Sequence, residues 1–443
     1  MKRSIGVEER LPLLKTIPLS FQHLFAMVGA TILVPIITGM SPSIALFCSG
    51  VGTLLYIICT KAKLPAYIGS SFAFIAPMMV ASKNYGAASM LSGIIAAGLV
   101  YVIVAIIIKF FGIKWLNKAL PPVVVGSIVI VIGLGLAGVA INWAGLNTSY
   151  VDASMQHVPR WAWITVSVLT LGIGILGSMY FKGFFGVIPI LISMVTGYVA
   201  ALALGVIPQS AIDAILSAKL FRLPPFLMPE FNLSAMLLMA PVAFVTLAEH
   251  IGHVYVTNNV VGRDFTVEPG LHRSILGDGV ATIFAGLVGG PPNTTYGENI
   301  GVMAITRVYS VWVIGVAGVI AIVLSFIGPV AAIIEHMPLP VMGGVSILLF
   351  GIIASSGFRI FVEDKIDFSK KKNLILSSVI IVIGIGGAAV KFKFNGADVE
   401  IAGVALATIV GMVLNVILPD VSATEVDEDT EEENIVNQKA KAV

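Results

Sequence analysis

Two carboxylates and several imidazoles stand in runs of sequence that are otherwise apolar. The stretch TLAEHIGHVYV places Glu249 and His253 four residues apart, on one face of a helix, where the two side chains can hydrogen-bond. An ionisable group inside a membrane segment is a functional candidate by default, and the convincing ones here are His23, Glu249, His250, His253, Asp278 and Glu298. Glu249 is the strongest candidate for handling a proton. Burial favours a neutral carboxyl, because charge loses hydration, while a nearby imidazolium favours the ionised form. A group balanced between the two can load a proton on one side of a membrane and release it on the other. His250, turned about 100° from Glu249 around the helix, reads as structural. Asp278 and the Gln22–His23 pair read as members of a hydrogen-bond network rather than as ligands.

Glu298 makes a different offer. It lies in GGPPNTTYGENIGVMAITRVYS, residues 289–310, where prolines, glycines and threonines break what the surrounding hydropathy marks as a membrane crossing. If a short extended piece is followed by a half-helix starting after Tyr296 and Gly297, free backbone N–H groups with a positive dipole end stand beside the carboxylate. That combination complements a neutral planar ligand that presents N–H donors and carbonyl acceptors side by side, as uracil does.

These residues need elements to hold them, and the composition says what those elements are. With 57% hydrophobic and 11% charged residues in 443, and a mean hydropathy of +0.99, the chain belongs in lipid. A bilayer core about 30 Å thick takes roughly 20 apolar residues per helix. The sequence reads as an all-α polytopic membrane protein of about fourteen spans, near 16–39, 43–60, 66–82, 87–111, 122–141, 160–180, 184–206, 234–258, 271–288, 291–307, 309–333, 339–357, 373–390 and 400–418. The charged start MKRSIGVEERLPLLK has too short an apolar stretch for a cleaved signal and is expected to be retained. Of the 26 Lys and Arg residues, about 20 fall on one side when the amino terminus is placed inside, which is the positive-inside pattern. Both termini are then cytoplasmic. The tail from Ser422, with EVDEDTEEE, is too polar and acidic to pack and reads as disordered. Cys48 and Cys59 are about 16 Å apart on one helix and cannot bridge each other.

Span 5 (LPPVVVGSIVIVIG) and span 12 (MPLPVMGGVSILLFG) align Pro122 with Pro340, Gly126 with Gly344 and Gly133 with Gly351. An offset of seven spans is odd, so the second copy enters the membrane from the opposite side: two inverted seven-span repeats. Spans 3 (LPAYIGSSFAFIAPMMV) and 10 (PPNTTYGENIGVMAITR) are the interrupted pair at matching places. About five extended residues followed by about nine helical ones cover roughly 30 Å. Extended backbone at that depth must be buried in protein or line a cavity, which two such segments achieve by pairing as short strands. Taken singly, Gly69, Gly297 and Gly301 read as packing glycines; the matched interruption makes the two segments a site. The GLGLAG run of span 5 offers glycines for a sliding contact or for packing.

The residues ENIGVMAITR, 298–307, resemble the signature of the nucleobase-ascorbate transporter family, also called nucleobase:cation symporter-2. Glu298, Asn299, Gly301, Thr306 and Arg307 fill each of its fixed positions. QHLFAMVGATILVP in span 1, LPAYIGSSFAFI in span 3 and EHIGH in span 8 resemble the same family's bacterial pyrimidine branch, and the likeness runs from about residue 10 to 418. The resemblance implies a core domain of spans 1–4 (16–111) and 8–11 (232–334) and a gate domain of spans 5–7 (112–231) and 12–14 (335–420). Residues 1–15 and 421–443 form the cytoplasmic ends. It further implies a homodimer in the cytoplasmic (inner) membrane that moves uracil with protons by alternating access, without a cofactor. Carried over residue by residue, Glu249 and Glu298 bind the base through its N–H groups, and the backbone of Phe72, Gly297 and Ala30 meets its carbonyls. Tyr296 shapes the pocket, His253 supports Glu249 in proton coupling, and Gln22 and His23 are structural. Glu at the first signature position favours uracil; Gln there is frequent in purine carriers, so a xanthine or urate symporter is the alternative.

Other classes fit less well. Two carboxylates facing a site repel an inorganic anion. A divalent-metal carrier has candidate ligands in Glu249, His250, His253 and His23, but the EHxxH order turns one of them off the face. No nucleophile with a base and an orienting partner suggests an enzyme, and no nucleic-acid module is present.

Overall fold

The computed structural model describes residues 4–155, 158–394 and 397–420; the acidic tail read at 421–443 lies outside them. Fourteen crossings follow one another in the described chain. Twelve are helical: span 1 Leu13–Thr38, span 2 Pro42–Cys59, span 4 Ala87–Phe111, span 5 Pro122–Gly135 with Ala137–Trp143, span 6 Arg160–Tyr180, span 7 Pro189–Ala203, span 8 Leu233–Met239 with Val242–Val261, span 9 Leu271–Val288, span 11 Val311–Ser325, span 12 Leu339–Glu363, span 13 Lys371–Ile385 and span 14 Gly403–Ile417. Seven helical stretches are long and apolar enough to cross a membrane by themselves, and spans 7, 11 and 14 are shorter apolar helices.

Spans 3 and 10 are the interrupted ones. Span 3 is strand β1, Ile68–Ser70, then a 3-10 turn at Phe72–Phe74 and helix Ile75–Tyr85; span 10 is strand β2, Asn293–Thr295, then helix Gly297–Thr306. The strands pair antiparallel, with Ile68 opposite Thr295, Gly69 opposite Thr294 and Ser70 opposite Asn293. This pairing satisfies extended backbone where no water is available. Gly289, at φ +97°, ends span 9 in the left-handed region and lets the chain turn at once into Pro291 and Pro292, which cannot continue a helix.

Helix packing exposes the inverted repeat. Span 4 packs on 9 and span 2 on 11; span 6 on 7 and 13 on 14; span 6 on 12 and 13 on 5; span 1 on 11 and 8 on 4; and spans 5 and 12, like 2 and 9, pack on each other. Each contact maps onto another, or onto itself, when seven is added to or subtracted from the span number. Small residues allow these approaches, since van der Waals packing is what holds helices together in lipid. A Cβ at Gly126 would lie 2.5 Å from the Phe361 ring, and one at its repeat mate Gly344 would lie 2.5 Å from the Ser167 carbonyl. Within GLGLAG, Gly133 packs on Phe350 and Ala354 of span 12, while Gly135 and Gly138 meet nothing. Of the run, Gly133 serves packing between spans 5 and 12.

Contacts between loops agree with alternate crossing. Lys63 pairs with Glu268, Arg263 with Glu8 and Lys372 with Asp420, all on the side given to the amino terminus. Arg222 pairs with Glu335, and Asn84 donates to Glu400, on the other. The amino-terminal residues pack beside the end of span 10: Ile5 bridges Val308 in parallel, and the Ser310 hydroxyl donates to the Glu9 carbonyl.

Two features depart from the sequence reading. Spans 5 and 8 are each broken, at Leu136 and at Ala240–Pro241; in span 8 the proline removes a backbone donor. A hairpin, β3 Ala389–Phe394 with β4 Ala397–Ala402, precedes span 14. Its signal was present as alternating Val390, Phe392 and Phe394 before Asn395-Gly396, a frequent hairpin dipeptide, but alternation averages out over a window wide enough to detect a membrane helix.

Candidate functional site

The strand crossing brings two helix amino termini together inside the bundle. Ser71 precedes the turn at Phe72 and Tyr296 precedes the helix at Gly297, and neither end carries a side-chain cap. Apart from the Glu298 N–H, which its own carboxylate engages, their first N–H groups lie outside the helical ladder and can serve a ligand. Span 8 packs against both starts. Glu298 is exposed, and Glu249, His253, Gly297 and Phe72 are half-buried, whereas Asn299 beside Glu298 is buried. Glu249 lies within electrostatic reach of Glu298 and Asp278. Two carboxylates and two uncapped helix starts are thus gathered around span 8.

The remaining residues fix this geometry from behind. The Tyr296 hydroxyl donates to the Ser70 carbonyl at 3.0 Å and lies 3.3 Å from Thr31 Oγ1, while the Tyr296 N–H donates to the Tyr67 carbonyl at 3.0 Å. The ring fills the space that a side chain at residue 69 would need. Gly69→Val is expected to abolish uptake without preventing membrane insertion, because its Cβ would lie 2.7 Å from the Tyr296 ring and overpacking costs about 1–3 kcal/mol. Size-exclusion chromatography beside a transport assay checks this; uptake at the parental rate would show that the ring can move freely. Phe72 meets Phe350 of span 12 edge to face, centroids 6.2 Å apart at 84°.

Asn299 Nδ2 donates to the His23 carbonyl at 3.0 Å and lies 3.2 Å from His23 Nδ1, which ties the half-helix to span 1. Gln22 Oε1 is buried without a partner among the described residues. The Thr306 hydroxyl donates to the Val302 carbonyl at 2.7 Å and accepts the Val308 N–H at 3.3 Å, closing the helix end. Arg307 follows in the left-handed region, φ +57°, a conformation open to glycine at no cost. Gly301 has open space around it.

Two expectations change in detail. His253 Nδ1 bonds to Thr295 Oγ1 at 3.1 Å, and no hydrogen bond joins His253 to Glu249 among the described residues, because the β2 strand presents a nearer hydroxyl. Ala30 sits in the middle of span 1, buried with Met27, Tyr296 and Ile300; its N–H belongs to the helical ladder, unlike those of Phe72 and Gly297. His23 faces Asn299 rather than the other histidines, and among the described residues no three His, Cys, Asp or Glu side chains converge on a metal position.

Sequence reasoning missed Thr295 and Thr282. Thr295 bonds both His253 and His250, the latter at 3.2 Å. Thr282 Oγ1 donates to the Asn293 carbonyl and accepts its N–H. Neither threonine is ionisable, so only strand register reveals its role.

The sequence profile of a group described as the Permease family matches residues 14–392. The uracil permease of Bacillus subtilis (strain 168) is 49% identical over 98% of this chain and 99% of its own. That of Bacillus caldolyticus is 51% identical over 94% of this chain and 95% of its own, and that of Escherichia coli (strain K12) is 48% identical over 99% and 100%. Among solved structures, the transmembrane domain of the cyanobacterium bicarbonate transporter BicA matches with a TM-score of 0.62 at 14% identity, covering 93% of this chain and 100% of that one. The murine anion transporter Slc26a9 matches with a TM-score of 0.66 at 9% identity, covering 93% and 69%; at such identities the likeness concerns the fold. These full-length matches mark a transporter rather than an enzyme. Together with the complete signature at residues 298–307, now placed at the start and end of the second half-helix, they establish that the chain belongs to the nucleobase-ascorbate transporter family of permeases.

Proposed function

We propose that this protein is a proton-coupled uracil symporter working by alternating access. The observation that carries the reading is the exposed Glu298 at the uncapped start of a half-helix, within electrostatic reach of Glu249. A pyrimidine dione presents N–H and carbonyl groups in alternation along one edge. The Glu298 carboxylate and the carbonyl oxygen of a protonated Glu249 carboxyl accept the N–H groups; the N–H groups at Phe72 and Gly297 donate to the carbonyls. Relatives named uracil permeases share about half of all residues with this chain over nearly its whole length, which supports uracil as the base.

Glu249 is the coupling group in this reading. Protonated, it can donate to the base; ionised, it stands near Glu298 without a hydrogen-bond partner among the described residues, so proton and substrate favour each other's presence. Spans 1–4 with 8–11 form the core, and spans 5–7 with 12–14 the gate, against which the core moves. The Phe72–Phe350 contact lies on that boundary. The chain works as a homodimer in the cytoplasmic (inner) membrane with both termini cytoplasmic, and needs no cofactor.

Uptake of labelled uracil into proteoliposomes, with pH and sodium gradients imposed separately, tests the reading. Accumulation driven by an acidic exterior, competed by 5-fluorouracil and not by xanthine, is expected. Drive by sodium alone, or preferential transport of xanthine, would replace it.

A further inference from the structure

Span 9 holds a carboxylate for which the proposed cycle has no use. Asp278 is fully buried, and neither of its oxygens has a hydrogen-bond partner among the described residues. Its Oδ2 lies 2.9 Å from Nδ1 of the equally buried His250, to the side of the direction in which that nitrogen bonds Thr295 Oγ1 at 3.2 Å. At the other edge of the ring, Nε2 lies 2.9 Å from Ser274 Oγ. With the Ser274 hydroxyl donating to the Leu271 carbonyl at 2.9 Å, Ser274 accepts a hydrogen from Nε2. In that arrangement a proton on Nδ1 or on the carboxyl is what offsets the desolvation of the Asp278 charge.

The pair is also wired to the site. Thr295 Oγ1 lies 3.1 Å from His253 Nδ1, and His253 Nε2 comes within 3.2 Å of where a Cβ on Gly297 would stand, at the start of the substrate half-helix. We propose that Asp278 and His250 form a second, deeper proton-holding site that exchanges protons with the substrate space through Thr295 and His253. In the outward step the Nδ1 proton of His250 passes to Thr295 Oγ1, the Thr295 hydroxyl proton passes to His253 Nδ1, and His253 releases its Nε2 proton into the space. One proton leaves the pair and one arrives; the reverse order refills it. The emptied pair is a buried anion, which makes its refilling favourable.

The groups facing the pair fit an enclosed store. Tyr56 of span 2 stands edge-on to the His250 ring, centroids 6.2 Å apart, and Tyr101 of span 4 is held by Thr246. Glu249 and, beyond it, Glu298 supply the nearby negative charge. Arg273 at the start of span 9 is engaged with the Cys59 carbonyl at 3.3 Å, and Arg359 of span 12, paired with Glu363, acts on His253.

The inference rests on proton coupling, so the test begins with the wild-type full chain in proteoliposomes under a pH gradient. Absence of pH-driven accumulation there is a failure of the coupling reading itself, and removes this inference with it. Given wild-type accumulation, Asp278→Asn is expected to keep uracil affinity within about threefold by calorimetry and to keep uracil counterflow, while pH-driven accumulation falls at least about tenfold. Thr295→Val is expected to slow pH-driven uptake at unchanged affinity, and Thr295→Ser to restore it through its hydroxyl. Undiminished accumulation by Asp278→Asn overturns the proposal, as does loss of binding and counterflow along with accumulation, which marks a structural residue. If Asp278→Asn fails to fold, the two Thr295 variants decide, and equal uptake by Val and Ser overturns it.

Discussion

Glu298→Ala is expected to abolish measurable uracil binding. The side chain stands at the second residue of a half-helix whose start lacks a side-chain cap, so in the proposed site its oxygens accept from the base while backbone N–H groups at that start donate. A hydrogen bond to a charged group contributes about 1.5–3 kcal/mol, and truncation leaves the ligand's N–H unpaired in a partly desolvated place. The combined loss corresponds to a roughly 100-fold or greater rise in Kd. Alanine at this position creates no clash and retains helix propensity, so the fold is expected to survive. Calorimetry on purified protein, beside an unchanged size-exclusion profile, checks it. Binding within a factor of a few of wild type would remove Glu298 from the site and, with it, the reading of the second half-helix as the substrate cradle.

The other large effect concerns Glu249. Glu249→Gln fixes this position in a form resembling the protonated carboxyl: it keeps a carbonyl oxygen and gains an N–H donor, and it cannot titrate. Uracil binding is expected to remain within about tenfold of wild type and to lose its dependence on pH. Accumulation against a gradient is expected to disappear, while exchange of uracil for uracil continues. The split between binding and coupled transport is the diagnostic measurement, because a packing role would lower both together. Undiminished accumulation under an imposed pH gradient would move the coupling function elsewhere.

Much of this architecture was legible before folding was considered, for reasons visible in particular residues. Lipid leaves backbone groups nowhere to bond except within a helix or a strand pair, so prolines and threonines at 291–295, matched by LPAYIGSS in the other half, had to mean paired strands. The register Ile68 to Thr295 is a consequence the pattern allowed but did not specify. Glu298 could be placed at a helix start because Tyr296-Gly297 marks the break. By contrast, the break in span 8 at Ala240–Pro241 and the hairpin before span 14 were hidden, one by a run whose mean hydropathy stays high across it, the other by a two-residue period that a search for twenty-residue spans averages away.

Helical spacing located the ionisable groups but not their partners. Four residues between Glu249 and His253 put them on one face, yet His253 turns to Thr295, since a strand from another span brings a hydroxyl closer than the neighbour on its own helix. Asp278 read as network, and it is buried beside His250; its lack of any other partner among the described residues is a property of how spans 2, 4, 8 and 9 close around it. The sequence by itself determined the solvent, the number and inversion of the crossings, the interrupted pair and the carboxylates, because each is written in hydropathy, in helix-breaking residues or in a local motif. Only the tertiary structure decided which donor each acceptor meets, because hydrogen bonds are settled within a few tenths of an ångström by elements more than 200 residues apart, as with Tyr296 and Ser70, and no local pattern encodes that distance.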